Sequence, residues 1–133
     1  MGFIILSGSN LQGADLTFAQ LHEANLTNTD LRYADLQNVD LKEAKLYGAN
    51  LESSNLAGAN LTNTSFAFAN LEGANLTGTI LTNTYFGYAN LKGVIGLDDF
   101  ENLKNKVKSL ECTIMPDGTI KIHDDTQCTR TPN

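Results

Sequence analysis

The sequence predicts an all-β solenoid in which the chain makes a quarter turn every five residues. Leu or Phe occupies every fifth position from Leu6 to Leu91, without a slip over 18 places. Two residues before each central residue from Leu11 to Leu91 stands Ala, Thr, Ser or Val, at the positions from Ser9 to Ala89. An α-helix would scatter leucines of this period around its axis, and a straight strand would alternate them between two faces. A chain that bends once per five residues instead points every leucine toward a common axis.

A third position of the repeat predicts where the chain bends. Two places after each leucine, from Gly8 to Gly93, seven of the 18 residues are Gly and four are Asn. These residues most readily adopt the positive φ that the third position of a type II turn requires. Four such corners close a square coil, so 18 repeats predict about four and a half coils. At the usual spacing between strands, the rod would be about 22 Å long.

The repeated motif carries a family resemblance. The segments "GADLT", "EANLT", "YADLQ" and "GANLE" follow the pattern A(N/D)LXX, which resembles that of the pentapeptide repeat family, over roughly residues 4 to 95. The resemblance implies a right-handed quadrilateral β-helix, and it implies this fold more firmly than any activity. Many members come from cyanobacteria and chloroplast lumens. A few larger ones resemble DNA in shape and charge and protect or inhibit DNA gyrase.

Beyond Leu91 the period stops, and the sequence predicts a helical cap. The apolar residues of "GLDDFENLKNKVKSL" follow helical spacing, and Asp98 with Glu101 forms a capping-box pattern, so a helix is expected near residues 98 to 110. The apolar positions are Leu97, Phe100, Leu103, Val107 and Leu110. The last coil of a solenoid exposes backbone groups and leucines, which a helix can cover. Residues 1–95 are therefore interpreted as the β-helix and residues 96–133 as its cap, within one structural domain.

A hairpin is expected after this helix, because Pro116, Asp117 and Gly118 form a turn between two short β-prone runs. Cys112 and Cys128 flank the hairpin. A disulfide between them would close a short loop and stabilise a tail with little core, although two reduced thiols remain the alternative. If the bridge forms, an oxidising compartment such as a thylakoid lumen or a periplasm is favoured over the cytoplasm.

No catalytic, cofactor-binding or metal site is predicted. His22 falls on an outward repeat position and His123 lies in the tail, so neither forms a recognisable catalytic or zinc pattern. Four aspartates occupy the slot before a leucine, and wrapping at twenty residues per coil puts them on three faces. They are Asp15, Asp30, Asp35 and Asp40, of which only Asp15 and Asp35 stack. The glycines recur as corners and do not form a phosphate-binding loop.

One outward face breaks the polar pattern with aromatic residues. It is formed by the repeats centred on Leu26, Leu46, Phe66 and Phe86, and its outward aromatic residues are Tyr47, Phe68, Tyr85 and Tyr88. Clustered exposed aromatic residues mark interaction surfaces. The face is interpreted either as a floor on which the C-terminal tail packs or as a contact surface for a protein partner.

Three function classes follow from these observations. The favoured one is a non-enzymatic structural or protein-interaction module, the second is a DNA mimic that acts on gyrase or another topoisomerase, and the third is an enzyme. Duplex DNA carries a charge every ~1.7 Å, whereas residues 1–95 hold eight acids and four Lys or Arg, a net charge of −4. No nucleic-acid partner is expected. No membrane partner is expected either, and the absence of a run of 18 apolar residues excludes a membrane span. The repeats begin almost at Met1, which is interpreted as a removed leader, a truncated start or a contact between two copies. The chain is expected to be either a monomer or a dimer through its N-terminal coil.

Overall fold

Successive coils of the chain stack with a spacing of twenty residues. The computed structural model describes residues 3–97, 99–121 and 128, with the backbone alone for residues 100 and 101. Parallel bridges join each residue before a central Leu or Phe to its equivalent in the next coil, from Ile5↔Asn25 to Asn75↔Ile95. Four five-residue sides therefore make one coil, as the repeat predicts. Pairing is confined to isolated bridges because the chain bends again before a longer strand can form.

Every predicted corner has a left-handed backbone conformation. All 18 residues from Gly8 to Gly93 at this position have positive φ, between 55° and 72°. The turn is closed by a backbone hydrogen bond from the following residue to the central leucine, as from Ser9 N to Leu6 O at 3.0 Å. Positive φ at the third residue alone is the signature of a type II turn. The corner position that Gly and Asn predict therefore also holds at the seven corners occupied by other residues.

The central leucines and the small residues beside them form one continuous core. From Leu26 to Leu76 every central residue is fully buried, and the rings of Phe66 and Phe86 stack at a centroid distance of 5.4 Å. Inward threonines satisfy their hydroxyls within this core: Thr64 Oγ1 donates to Leu41 O at 2.7 Å, and Thr84 Oγ1 donates to Leu61 O at 2.8 Å. This narrow core accommodates the hydroxyls because the carbonyl of a central leucine in the preceding coil lies within hydrogen-bond distance of each of them.

The C-terminal helix is shorter than predicted. The helix α1 spans Phe100–Lys106, where residues 98 to 110 were expected. The predicted capping box named the wrong N-cap residue, Asp98. The N-cap of α1 is Asp99, whose carboxylate accepts a hydrogen bond from Asn102 N at 3.0 Å. Asp98 lies outside the described residues.

The helix ends early because the last coil still needs backbone partners. Phe86 N donates to Ser109 O at 3.0 Å, and Leu91 N donates to Ile114 O at 2.8 Å. Leu110 and Met115 then occupy central positions of the repeat and are buried. Unpaired buried backbone groups cost more than a short helix gains from extra turns. Two further pentapeptide sides therefore follow α1 and complete half of another coil.

The predicted hairpin and disulfide are both present. Ile114 and Ile120 form an antiparallel bridge, and Met115 N donates to Thr119 O at 2.7 Å across a turn in which Gly118 has φ 85°. Cys112 and Cys128 are joined by a disulfide with a Cα–Cα distance of 5.4 Å. The other half of this end is covered by α1, whose Leu103 is fully buried. Within the described part of the chain, no helix has the length and apolar character needed to span a membrane.

Candidate interaction surface

The residue before each central leucine closes the turn that comes after it. Asn60 Oδ1 accepts hydrogen bonds from Thr62 N at 3.1 Å and from Thr62 Oγ1 at 2.7 Å, and Asp40 Oδ1 accepts from Lys42 N at 3.0 Å. An Asn or Asp side chain that bonds the backbone two residues on stabilises a turn. This contact explains the N/D of the motif. It also assigns the four aspartates a structural role, and Asp15 pairs with Asp35 as the twenty-residue wrap predicts.

A column of three aromatic rings at one corner of the solenoid departs from this polar pattern. The ring centroids of Phe68 and Tyr88 lie 4.7 Å apart with an interplanar angle of 10°, and the centroids of Tyr47 and Phe68 lie 5.3 Å apart. Tyr47 is 42% exposed, whereas Phe68 and Tyr88 are half-buried. We call Tyr47, Phe68 and Tyr88 the aromatic column.

Two members of the aromatic column occupy positions that are unfavourable for their backbone. Phe68 has φ 58° and Tyr88 has φ 61°. A left-handed conformation costs roughly 1–2 kcal/mol for a residue with a side chain, and Asn tolerates it better. Asn28 occupies the same corner two coils before Phe68, at φ 56°. The chain therefore places rings where the repeat itself favours Gly or Asn.

Tyr85 does not join the aromatic column, although it lies on the predicted face. Its side chain lies across Gly87, where an added Cβ would come within 2.5 Å of Tyr85 Oη. Tyr85 instead lines an open groove with Asn63, Ser65, Asn83 and Lys108. The sequence grouped four aromatic residues by face, and the structure brings three of them together. The separation depends on Gly87, which leaves room for the tyrosine to lie flat.

The disulfide adjoins the aromatic column at its C-terminal end. Tyr88 N donates to Glu111 O at 2.8 Å, which places Cys112 at the corner that follows Tyr88 in the next layer, with φ 52°. Cys112 is fully buried and Cys128 is half-buried. The bridge therefore fixes residue 128 beside this corner. The idea that the tail packs on the face concerns residues that are mostly outside the described ranges, so it stays a prediction.

Hydrogen bonds stabilise the ionised form of three carboxylates. The backbone N–H and hydroxyl of Thr17 lower the pKa of Asp15, and the guanidinium of Arg32 lowers the pKa of Asp30 through an ion pair of 2.7 Å. The hydroxyl and backbone N–H of Thr119 lower the pKa of Asp117. These shifts favour charged turn residues and leave no group among these three poised to exchange a proton near neutral pH.

His22 lies on the surface of the solenoid, and among the described residues no Ser or Cys nucleophile is recorded in contact with it. His22 is exposed, and its Nδ1 lies 4.0 Å from Asp40 Oδ2 in a shallow groove with Lys42 and Glu43. His123 lies outside the described residues. Among the residues that are described, no group of three His, Cys, Asp or Glu side chains could hold a metal ion. The one buried side-chain hydroxyl without a hydrogen-bond partner in this part of the chain is Ser54 Oγ.

Sequence reasoning missed two features of this surface. The return of the repeat after α1 is visible in "KSLECTIMPD", where Leu110 and Met115 are five apart and Thr113 precedes Met115 by two. The backbone strain at the aromatic corners has no sequence signal, because the corner position is recognised from its Gly and Asn residues and not from the aromatic ones. Only the φ angles reveal it.

Comparison with known proteins places these features in a family. The sequence pattern described as pentapeptide repeats matches residues 4–42, 44–83 and 59–95, in eight copies. No curated protein sequence matches the chain.

Solved structures share the fold. A pentapeptide repeat protein of the Arabidopsis thaliana thylakoid lumen is similar, with a TM-score of 0.67, 28% identity, and coverage of 74% of this chain and 72% of that one. A second, from the cyanobacterium Cyanothece 51142, has a TM-score of 0.56 and 40% identity, and covers 56% of this chain, which spans about half (51%) of that one.

QnrB1, a plasmid-mediated fluoroquinolone resistance protein, has a TM-score of 0.54 at 16% identity, with coverage of 73% of this chain and 57% of that one. At this identity the likeness concerns the fold alone. These neighbours imply a right-handed β-helix, which agrees with the twenty-residue coils. With a repeat pattern over residues 4–95, a turn at every predicted corner and these structural neighbours, the chain belongs to the pentapeptide repeat family.

Proposed function

We propose that this protein is a non-enzymatic protein-interaction module whose contact surface is the aromatic column. The observation that supports it is the contact of three aromatic rings in one column, in which Phe68 stacks on Tyr88 and Tyr47 packs against Phe68 at an angle. Aromatic residues are enriched at protein interfaces, where they bury large areas at low entropic cost. Two of these rings also occupy a left-handed backbone conformation that Gly or Asn adopts with less strain.

A pull-down from an extract of the source organism, with the purified protein as bait, tests this proposal. The column variant carries Tyr47→Ser, Phe68→Asn and Tyr88→Asn, and the asparagines suit the positive φ at both corners. The control is Tyr33→Asn, which removes an exposed aromatic residue from a different corner. Both variants should fold, as judged by circular dichroism. We expect proteins that are captured by the wild type and by Tyr33→Asn to be lost with the column variant; equal capture by all three proteins would contradict the proposal.

The alternative of a DNA mimic has less support. The likeness to QnrB1 concerns the fold alone, and the net charge of −4 over residues 1–95 is spread over a short rod. A mimic must reproduce a long row of phosphates at about one charge per 1.7 Å. The purified protein should therefore leave gyrase supercoiling unchanged at about 10 μM, and half-maximal inhibition below about 1 μM would favour the mimic.

The disulfide supports a location in an oxidising compartment, which we propose to be a thylakoid lumen or a periplasm. The Arabidopsis protein with the similar fold is from the thylakoid lumen. Structural disulfides persist in such compartments and are rare in the cytoplasm. Thiol trapping in intact cells tests this point: both cysteines should resist alkylation until a reductant is added, whereas rapid labelling of Cys112 and Cys128 would point to a reducing compartment.

A further inference from the structure

The open groove beside Tyr85 has no acidic residue in its lining. It encloses about 310 Å³ and is lined by Asn63, Ser65, Asn83, Tyr85 and Lys108. The groove around the exposed histidine is of nearly equal size, at about 320 Å³, but three of its lining residues are carboxylates. The chain as a whole has 15 acidic and nine basic residues. A groove that is lined by a lysine and by neutral polar groups therefore departs from the charge of the rest of the chain.

The fold does not use the polar side chains of this groove to close its turns. In most repeats the residue before the central leucine accepts a hydrogen bond from the backbone two residues on, as Asn60 does from Thr62 N. Ser65 and Tyr85 occupy this repeat position. Among the described residues, neither side chain makes such a bond, and the ammonium group of Lys108 has no recorded ion pair. These groups therefore remain available to a ligand.

Backbone pairing holds the walls of the groove in place, and Tyr85 leaves the space between them free. Lys108 N donates to Thr84 O at 2.8 Å, which joins the segment after α1 to the preceding coil. The side chain of Tyr85 lies across Gly87, so its ring does not fill the groove. A site whose walls are already fixed loses little conformational entropy when a ligand binds.

The charged residues around the groove favour an anion. Lys108 lines it, and Lys45 pairs with Ser65 from the preceding coil, so an exposed lysine lies toward each end of the rod. An acidic neighbour is Glu43, the corner residue one coil before Asn63, which lines the acidic groove and not this one. Two lysines against one glutamate leave a locally positive surface on a chain whose net charge is −6.

We propose that this groove binds a small organic anion through its carboxylate or phosphate group. Lys108 supplies the charge, while the amides of Asn63 and Asn83 and the hydroxyl of Ser65 donate hydrogen bonds, which are stronger to an ionised acceptor. The volume of about 310 Å³ lies at the lower end of the range of small-molecule sites. Because the groove is open to water, a dissociation constant near about 1 mM is expected. The aromatic column shares no residue with the groove, so either proposal can fail without the other.

Titration of the purified chain, followed by the amide resonances in nitrogen–proton correlation spectra, tests the proposal. The probes are glucose 6-phosphate, citrate and inorganic phosphate, each up to about 10 mM at constant ionic strength, with glucose as the uncharged control. We expect at least one of the two organic anions to shift the amides of the groove with a midpoint near about 1 mM. Inorganic phosphate should bind more weakly, and glucose should cause no shift. Unshifted groove amides with both organic anions, or inorganic phosphate that binds as tightly as either, would overturn the proposal.

Single substitutions locate the bound anion. Lys108→Gln and Asn83→Gly should each weaken binding by about fivefold or more, and the glycine suits the φ of 55° at this corner. Glu43→Gln removes an acidic neighbour and should tighten binding by about twofold. The matched control is Lys92→Gln, which removes an exposed lysine outside the groove and should leave binding unchanged. Equal losses with Lys92→Gln and Lys108→Gln would show general attraction to lysines and would overturn the site.

Discussion

Residues 99–116 cover the C-terminal end of the solenoid, whereas none of the described residues covers its first coil. The leucine Leu91 lies under residues 113–116 and is fully buried, but Leu11, on the same side of the solenoid, is half-buried. Both ends have the same repeat, so the difference comes from the C-terminal segment, residues 99–116, and not from the repeat itself. A β-helix ends stably where another segment supplies hydrogen bonds to its last coil and covers its core.

The two ends should differ most in what a core leucine contributes to stability. Leu91→Ala should lower the free energy of unfolding by about 2–5 kcal/mol, because it leaves a cavity in a packed layer. Leu11→Ala on the same side should cost less than half as much, since water already reaches that leucine. Urea unfolding at low micromolar protein concentration measures both. Equal losses would mean that the first coil is covered in solution.

The disulfide should stabilise the C-terminal end alone. Cys128→Ser opens a segment with a sequence separation of 16, which should cost about 3 kcal/mol by the loop-entropy estimate. Hydrogen exchange should accelerate at the amides of Phe86, Tyr88 and Leu91, which donate to residues 109–114. The amides of Leu31 and Leu36, near the other end, should keep their wild-type protection. Uniform acceleration along the rod would contradict this division.

In the middle of the rod, away from both ends, one buried hydroxyl can be given a partner. Thr29, Thr64 and Thr84 each donate to the carbonyl of the residue 23 places earlier, while Ser54 Oγ has no partner. Ser54→Thr should direct its hydroxyl to Leu31 O and raise stability by about 1 kcal/mol. Ser54→Ala is the matched variant that removes the unsatisfied group without adding a bond. If threonine proves less stable than both serine and alanine, the site lacks room for the methyl group.

The smallest expected effect concerns pH and the second coil, near the N-terminal end. The pKa of Asp30 is below its ordinary value of 3.8 because Arg32 stabilises the carboxylate. As the pH falls, the unfolded chain takes up the proton first, so this contribution is complete above about pH 4 and is lost as the pH falls through the lower folded-state pKa. Asp30→Asn should leave stability at pH 7 nearly unchanged, since Asn50, Asn70 and Asn90 fill the same slot.

The measurement for this variant is the thermal midpoint between about pH 2 and pH 7. The loss of stability on acidification should be smaller for Asp30→Asn than for the wild type. Asp99→Asn serves as the control, because its carboxylate caps α1 without an ion pair in the described contacts. An unchanged pH profile for Asp30→Asn would show that the Arg32 pair contributes nothing.

Most of the solenoid depends on local sequence, and this is why it could be predicted. The five-residue period sets which residues face inward, and the bias toward Gly and Asn sets the corners, so the coil needed no long-range information. The turn at Gly118 and the bridge between Cys112 and Cys128 were also predicted from neighbouring residues and from their placement around the hairpin.

The end of α1 and the membership of the aromatic column could not be predicted in this way. Around Leu110 the sequence carries both helical spacing and the five-residue spacing to Met115. The repeat prevails because the edge of the last coil competes for the same backbone groups, and this edge exists only once the coils have stacked. Tyr85 shares a face with Tyr88, yet Gly87 lets it lie away from the column.

The sequence by itself thus determined the period, the inward residues, the corners and the type of each terminal element. Tertiary structure decided where the helix stops, which aromatic residues touch, and which residues cover the C-terminal end of the core. The physical reason is the range of the interactions: turn closure and side-chain direction depend on residues within one repeat, whereas backbone pairing and ring contacts join residues twenty or more apart. Those contacts depend on the whole stack of coils, and no single repeat contains them.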